Sequence, residues 1–225
     1  MDPTEPYPRD EAAPVVAWQP REIARRDIPA ATGEARDTFR AVLERRRSNP
    51  SSDHLAIEAL GALLWDGARV RETSGGRLAV PSSRRPAPSA GGIHPIEIFV
   101  RVAGEARVER YDPFAHALAS VEVLHPDHLA AFDRQVAAAV PNAGGSIMAF
   151  IADTSRTAAA YERSESLIWR DAGCLMMTLH LVAESLGLAF SPVGVLGTAL
   201  ARALAAPEGW IAAGTCVVGT RADRD

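Results

Sequence analysis

The stretch from Thr157 to Leu186 does most to limit the folds this chain can adopt. Its second half sets Trp169, Ala172, Cys174, Leu175, Met176, Leu179, Leu181, Val182 and Leu186 among few polar positions. That pattern predicts one long helix over 157–186, buried on most sides in its second half and stopped by Gly187. A helix of this kind needs a layer to pack against, and the rest of the chain supplies one. Residues 96–102 alternate as a strand. Residues 107–111 and 120–124 read as the next two strands, 146–152 as an apolar strand, and 188–192 and 216–219 as closing strands. Helices are expected over 34–47 (Phe39, Val42 and Leu43 on the apolar side), 55–65 (Leu60, Leu63, Leu64), 126–140 and 198–205. Helices, a strand cluster, a long central helix and closing strands make an α+β fold, a sheet packed by helices.

Two regions read as irregular. Residues 1–33 carry Pro3, Pro6, Pro8, Pro14, Pro20 and Pro29 with mixed charges. They are expected to form an arm that is either disordered or laid over a neighbouring subunit, ahead of a domain over 34–225. Ser74-Gly75-Gly76 reads as a turn before a short strand over 77–80, and residues 81–92 as a loop dense in Pro, Ser and Gly.

Composition excludes several functions. A net charge of −4 leaves no footprint for nucleic acid. The chain has no lysine, so it holds no P-loop, and no Gly-x-Gly-x-x-Gly marks a dinucleotide site. Cys174 and Cys216 are far apart, which argues against a zinc site or disulfide framework and points to a reducing cytoplasm. His125 and His128 lack the surrounding motif of a metal site, so no metal is expected, and His180 is expected to be a satisfied core or interface histidine. Neither a signal peptide nor a membrane span is expected.

Two segments suit an anionic, flat ligand. Arg46-Arg47-Ser48 ends the first expected helix with two guanidinium groups and a hydroxyl, and arginine grips phosphate oxygens bidentately. The same arginines serve equally to complement the helix dipole. Pro88-Ser89-Ala90-Gly91-Gly92 lets backbone approach a ligand closely, although an ordinary surface loop has the same composition.

Together, Arg85-x-x-Pro88-Ser89-Ala90-Gly91-Gly92-x-His94-Pro95-x-Glu97 resembles the hallmark of SagB-type oxidoreductases, the group of azoline dehydrogenases within the FMN-dependent nitroreductase superfamily. Arg46-Arg47-Ser48, Leu63-Leu64-Trp65, Arg110-Tyr111-Asp112-Pro113, Glu162-Arg163, Asp171-Ala172-Gly173, Ala183-Glu184, Pro192-Val193-Gly194 and Val218-Gly219-Thr220-Arg221 extend the likeness in order over roughly residues 40–221. The resemblance implies a mostly antiparallel sheet packed by helices, with the long helix at a homodimer interface and FMN bound between subunits. It assigns Arg46, Arg47, Ser48 and Arg221 to the phosphate and ribityl chain. Arg85, Pro88, Ser89, Ala90 and Gly91 fall in the flavin-binding segment, and Pro192, Val193 and Gly194 near the reactive edge.

The sequence also departs from that pattern. The usual Lys-Tyr pair before Glu162-Arg163 is replaced by 157–161, where Tyr161 is the sole hydroxyl aromatic and therefore the candidate catalytic residue. The usual Gly-His-x-x-Gln-Asn is Gly173-Cys174-Leu175-Met176-Met177-Thr178, and Pro50 stands where many nitroreductases place a second basic phosphate ligand. Three functions follow from the resemblance. One is an FMN-dependent dehydrogenase tailoring a peptide or small natural product, with a cyclodehydratase as partner. The second is an NAD(P)H-dependent nitro- or quinone reductase. The third is a catalytically degenerate scaffold subunit of a peptide-modifying complex.

Overall fold

The computed structural model describes residues 5–31, 37–50, 52–76, 78, 80–141 and 143–221. In chain order its elements are β1 (Tyr7–Pro8), β2 (Glu22–Asp27), α1 (Phe39–Arg45), β3 (Ser52–Asp53), α2 (Ile57–Ala68), β4 (Glu72–Ser74), β5 (Ser82–Arg84), β6 (Ile96–Arg101), β7 (Val108–Asp112) and β8 (Ala117–Val121). There follow α3 (Pro126–Ala139), β9 (Ser146–Asp153), α4 (Thr154–Ala160), β10 (Tyr161–Glu162), α5 (Glu165–Ser185), β11 (Leu188–Val193), α6 (Thr198–Ala203) and β12 (Trp210–Arg221).

The main sheet runs β11-β12-β9-β6-β7-β8-β2, with β3 also paired to β12, and every pairing in it is antiparallel. Side-chain alternation divides it into two faces. Ile96, Ile98, Val100, Met148 and Phe150 meet Leu60, Leu63 and Leu64 of α2 and Ile168, Ala172 and Leu179 of α5. Their neighbours Phe99, Ala149 and Ile151 meet Phe132 and Val136 of α3 and Leu200 of α6. The expected α+β architecture is therefore present.

The expected single helix over 157–186 is two helices. It breaks at Tyr161-Glu162, which pair antiparallel with Tyr7-Pro8. The break is held from a distance: Arg9 donates from its backbone N–H to the Ala160 carbonyl at 2.9 Å and from Nε to Ala158 at 2.8 Å. Tyr7 Oη donates to Glu162, and Arg163 takes a φ of 53°. Gly187 does stop the helix, at a φ of 73° with its N–H on the Glu184 carbonyl.

The N-terminal stretch is accordingly less irregular than its prolines suggest. Besides β1, it supplies β2 as the sheet's edge strand against β8. β2 itself holds no proline: Pro20 and Pro29 flank it, so the strand keeps its backbone N–H groups.

Several other boundaries move. The strand expected over 120–124 is β8, because Asp112 Oδ1 accepts from the N–H groups of Phe114 and Ala115 and closes the turn early. Within the expected loop 81–92, β5 pairs with β4 and residues 90–92 make a 3-10 turn. Residues 34–36 of the first expected helix, and Arg77 and Ala79 of the strand over 77–80, lie outside the described residues. Leu78 and Val80 are not in a strand. On α1 only Val42 is buried; Phe39 and Leu43 face outward.

The arm also fixes α2. A Cβ on Gly61 would lie 2.3 Å from the Pro29 carbonyl oxygen, which His116 Nε2 also approaches at 3.1 Å. Backbone on that side cannot yield as a flexible side chain would. Gly61→Ala is expected to destabilise the protein by about 2 kcal/mol, the range of overpacked cores, and to lower its melting temperature by roughly 5 °C. An unchanged melting curve would show that the arm is free to move away.

Candidate functional site

The residues singled out from the sequence fall into two groups, one at each end of α5. In the first, the segment after α1 is tied to β11 and α5: Asn49 N–H donates to the Phe190 carbonyl at 3.0 Å, and His180 Nε2 meets the Arg47 carbonyl at 3.2 Å. A carbonyl only accepts, so His180 carries its proton on Nε2. His180 is buried and stacked on Phe190, and burial lowers its pKa. It is the satisfied histidine expected. The side chains of Arg46 and Arg47 make no ion pair among the described residues. Arg221 approaches the Leu188 carbonyl and pairs with Glu184 at 2.7 Å, and Glu184 also takes Arg45 at 3.3 Å. Pro192 and Val193 lie opposite Cys216 and Thr215 on the same edge, and a Cβ on Gly194 would meet open space.

The second group centres on Asp171, near the other end of α5. Its carboxylate accepts from Ser89 Oγ at 2.5 Å and from the Ala90 N–H at 3.1 Å, while Ser89 Oγ accepts from the His94 N–H at 2.9 Å. The Ser89 proton is thus committed inside the protein. Gly91 has a φ of 61°, and its missing side chain makes room for Tyr161, whose hydroxyl lies 3.0 Å from where a Cβ would stand. Tyr161 packs with Val80, Ile93, Ala159 and Ala160. The structure therefore brings the candidate catalytic residue to the Pro88–Gly92 loop.

Behind that loop lies a cavity of about 340 Å³ between α2, α5 and strands β6 and β7. Arg85, Pro88 and Ser89 reach it from the loop, joined by His94, Glu97, Arg110 and Arg156. Burial and then the neighbouring Arg85 push His94 down to about 4, so its ring is neutral, with Nε2 donating to the Ser83 carbonyl at 2.9 Å. Burial raises the Glu97 carboxyl. It lowers Arg85 to about 10, helped by Arg156.

Sequence reasoning gave Asp171 and Glu97 no role of their own and passed over Arg156. Asp171 and Glu97 stand inside the quoted motifs, so a signal existed. Nothing local marks Arg156, whose place at the cavity follows from where α4 packs. Among the described residues, no group of three or more His, Cys, Asp or Glu is arranged to hold a metal, and no helix is long and apolar enough to cross a membrane.

An antiparallel sheet covered on both faces by helices, with a Pro-Ser-Ala-Gly-Gly loop and an arginine cluster at opposite ends of a central helix, defines a class of α+β protein built around that helix. The nitroreductase family matches this chain over residues 51–220, and the chain belongs to that family, whose activity is oxidoreduction. A Methanocaldococcus jannaschii protein described as a nitroreductase is 29% identical over 163 residues, covering 68% of this chain and 76% of that protein. Solved structures share the fold. A protein from Ralstonia eutropha described as a nitroreductase has a TM-score of 0.63 at 22% identity, covering 95% of this chain and 99% of that one. The Escherichia coli microcin synthetase McbBCD complex with truncated pro-MccB17 contains a chain with a TM-score of 0.58 at 17% identity, covering 85% and 76%. An FMN-dependent nitroreductase from Clostridium difficile has a TM-score of 0.50 at 15% identity, covering 82% and 88%.

Proposed function

We propose that this chain is an FMN-dependent oxidoreductase, working as a homodimer and dehydrogenating a peptide or small natural product in the manner of SagB-type enzymes. The observation that carries the reading is that Arg46 and Arg47, beside Ser48, make no ion pair among the described residues, while Arg221 is held on Glu184. Guanidinium groups without carboxylates suit a phosphate. A relative described as FMN-dependent and the peptide-bound microcin synthetase complex support the choice of cofactor and substrate class.

The dimer follows from distance. His180 and Glu184, which mark the arginine group, lie 9 and 13 residues along α5 from Asp171, which marks the loop group; at 1.5 Å per residue that is roughly 14–20 Å. One chain would have to stretch a flavin between its own two groups, whereas two α5 helices packed antiparallel would set one chain's arginines opposite the partner's loop. A face of α5 is available for this: Trp169, Gly173, Cys174 and Met177 lie outward in a helical stripe. The change from Gly-His-x-x-Gln-Asn to Gly173–Thr178 makes that face drier; Thr178 Oγ1 merely donates to the Cys174 carbonyl.

FMN bound there would supply hydride transfer. Arg46, Arg47, Ser48 and Arg221 would hold its phosphate end, Val193 and Gly194 would offer backbone to the ring edge, and Pro88–Gly91 of the second copy would cover the ring. Tyr161, held beside Gly91, would position the loop and offer its hydroxyl at that edge.

The absence of a lysine base favours a second reading, an NAD(P)H-dependent nitro- or quinone reductase, since that chemistry does not call for a substrate base. The visible spectrum of the purified protein tests both. Flavin absorbance is expected, and a colourless protein that ignores added FMN would sink both readings. Bleaching of the flavin by NADPH without any peptide would select the second.

A further inference from the structure

The cavity behind the Pro88–Gly92 loop carries an arrangement that, Arg85 aside, the flavin reading does not use. Four cations and four carboxylates line it: Arg25, Arg85, Arg110 and Arg156 against Glu22, Glu97, Asp112 and Asp171. Two matched pairs are formed at hydrogen-bond distance, Arg25 with Asp112 at 2.8 Å and Arg110 with Glu22 at 2.7 Å. Asp171 is satisfied by Ser89 and Ala90.

Three groups are less fully matched. Among the described residues, Arg85 donates only to Ser83 Oγ, at 3.1 Å, with its guanidinium 5.8 Å from the Phe114 ring, and Arg156 only to the Ile93 carbonyl, at 2.9 Å; neither has a carboxylate within ion-pair distance there. Glu97 has only a long ion pair, to Arg110 at 3.5 Å, and its Oε2 accepts no hydrogen bond. Two guanidinium forks with spare N–H groups thus share the cavity with a carboxylate oxygen that accepts no hydrogen bond. Buried charges short of partners are costly, so a ligand that supplied both signs would stabilise the arrangement.

We infer that this cavity binds a small amino carboxylate, one amino acid residue in size, with its carboxylate on Arg85 and Arg156 and its ammonium on Glu97. The paired count of lining charges selects the ligand's own balance. A zwitterion leaves the cavity neutral, whereas a phosphate dianion adds two negative charges beside Glu97 and Asp171. The volume fits as well, since it lies at the small end of ligand pockets. Gly67 and Ala68 at the end of α2, with Leu175 of α5, leave an apolar wall for a short side chain.

Isothermal titration calorimetry tests this on the full chain, both as purified and after saturation with FMN. Glycine and L-alanine are expected to bind, with acetate, methylamine and inorganic phosphate each at least tenfold weaker. Glu97→Gln should weaken the amino acids at least tenfold and leave acetate unchanged. Arg156→Gln should weaken amino acids and acetate alike. Should Arg156→Gln fail to fold, Arg156→Lys keeps the charge without the fork and should still lose several-fold.

Absence of amino acid binding would overturn the inference, as would phosphate binding more tightly or unchanged affinities in Glu97→Gln and Arg156→Lys. Displacement of the amino acid by FMN would overturn it too, by giving the cavity to the flavin. Flavin absorbance is read separately, so failure here leaves the flavin reading standing, and a protein that takes no FMN leaves this one standing.

Discussion

Replacing both Arg46 and Arg221 with alanine is expected to weaken FMN binding about a thousandfold, measured by titrating apo-protein with FMN and following flavin fluorescence. Each arginine would make a charge-assisted contact to phosphate, worth about 2 kcal/mol, and two such contacts come to roughly 4 kcal/mol or three decades in Kd. The fold is expected to survive. Arg46 makes no ion pair among the described residues, and removing Arg221 leaves Glu184 still paired with Arg45 at 3.3 Å. The double lysine variant should fall between, since lysine keeps the charge and loses the bidentate fork. Full flavin occupancy in the alanine variant, with an unchanged melting temperature, would remove the phosphate assignment and with it the main support for the cofactor.

That assignment was legible in the sequence because it rests on residue types in short runs. Arg46-Arg47-Ser48 and Pro88–Gly92 advertise their chemistry locally, and so does the alternation of β6. The sheet's two faces were not readable in the same way, because β8 and β9 are buried almost throughout and show no period of two. What the sequence hid is non-local. Residues 157–186 have a helical pattern throughout, and only Tyr7, Arg9 and the pairing of β1 with β10 explain why the helix breaks at Tyr161. The same break turns Tyr161 toward Gly91. The proline-rich start looked irregular because prolines are poor strand residues in general, yet β2 fits into the proline-free run between Pro20 and Pro29 and pairs with β8. Arg156 is an ordinary charge by sequence, whereas Glu97 stands inside a quoted motif; only the packing of α4 brings the two to one cavity.

The division of labour along α5 explains why the loop and the helix must be considered together. Ser89, by composition a ligand-binding hydroxyl, spends its proton on Asp171 and accepts from His94. Its role in the structure is to hold the loop's backbone in place, so that Pro88, Ala90 and Gly91 can present a fixed surface. A flat ligand then meets backbone shape rather than side-chain donors, consistent with the small residues there.

Asp171→Ala should therefore be the most damaging single substitution outside the hydrophobic core. It removes the acceptor for both Ser89 Oγ and the Ala90 N–H, two hydrogen bonds to a charged group in a partly buried setting, at a cost of about 4 kcal/mol. The melting temperature should fall by roughly 10 °C, and flavin retention should fall with it because the loop loses its only tie to α5 by side-chain hydrogen bonding among the described residues. Asp171→Asn should recover more than half of the loss: its carbonyl still accepts from Ala90, and Ser89 can turn to accept from its amide. The two also differ in pH response. Burial, opposed by the hydrogen bonds from Ser89 and Ala90, raises the Asp171 carboxyl above its ordinary range. A carboxyl raised on folding binds its proton more tightly in the native state, so its contribution to stability is fully present in acid and is lost as pH rises through its folded titration. Asp171→Asn should lack that slope in thermal melts across the carboxylate range. If Asp171→Ala melts like the wild-type protein and keeps its flavin, the loop is positioned by something other than this carboxylate.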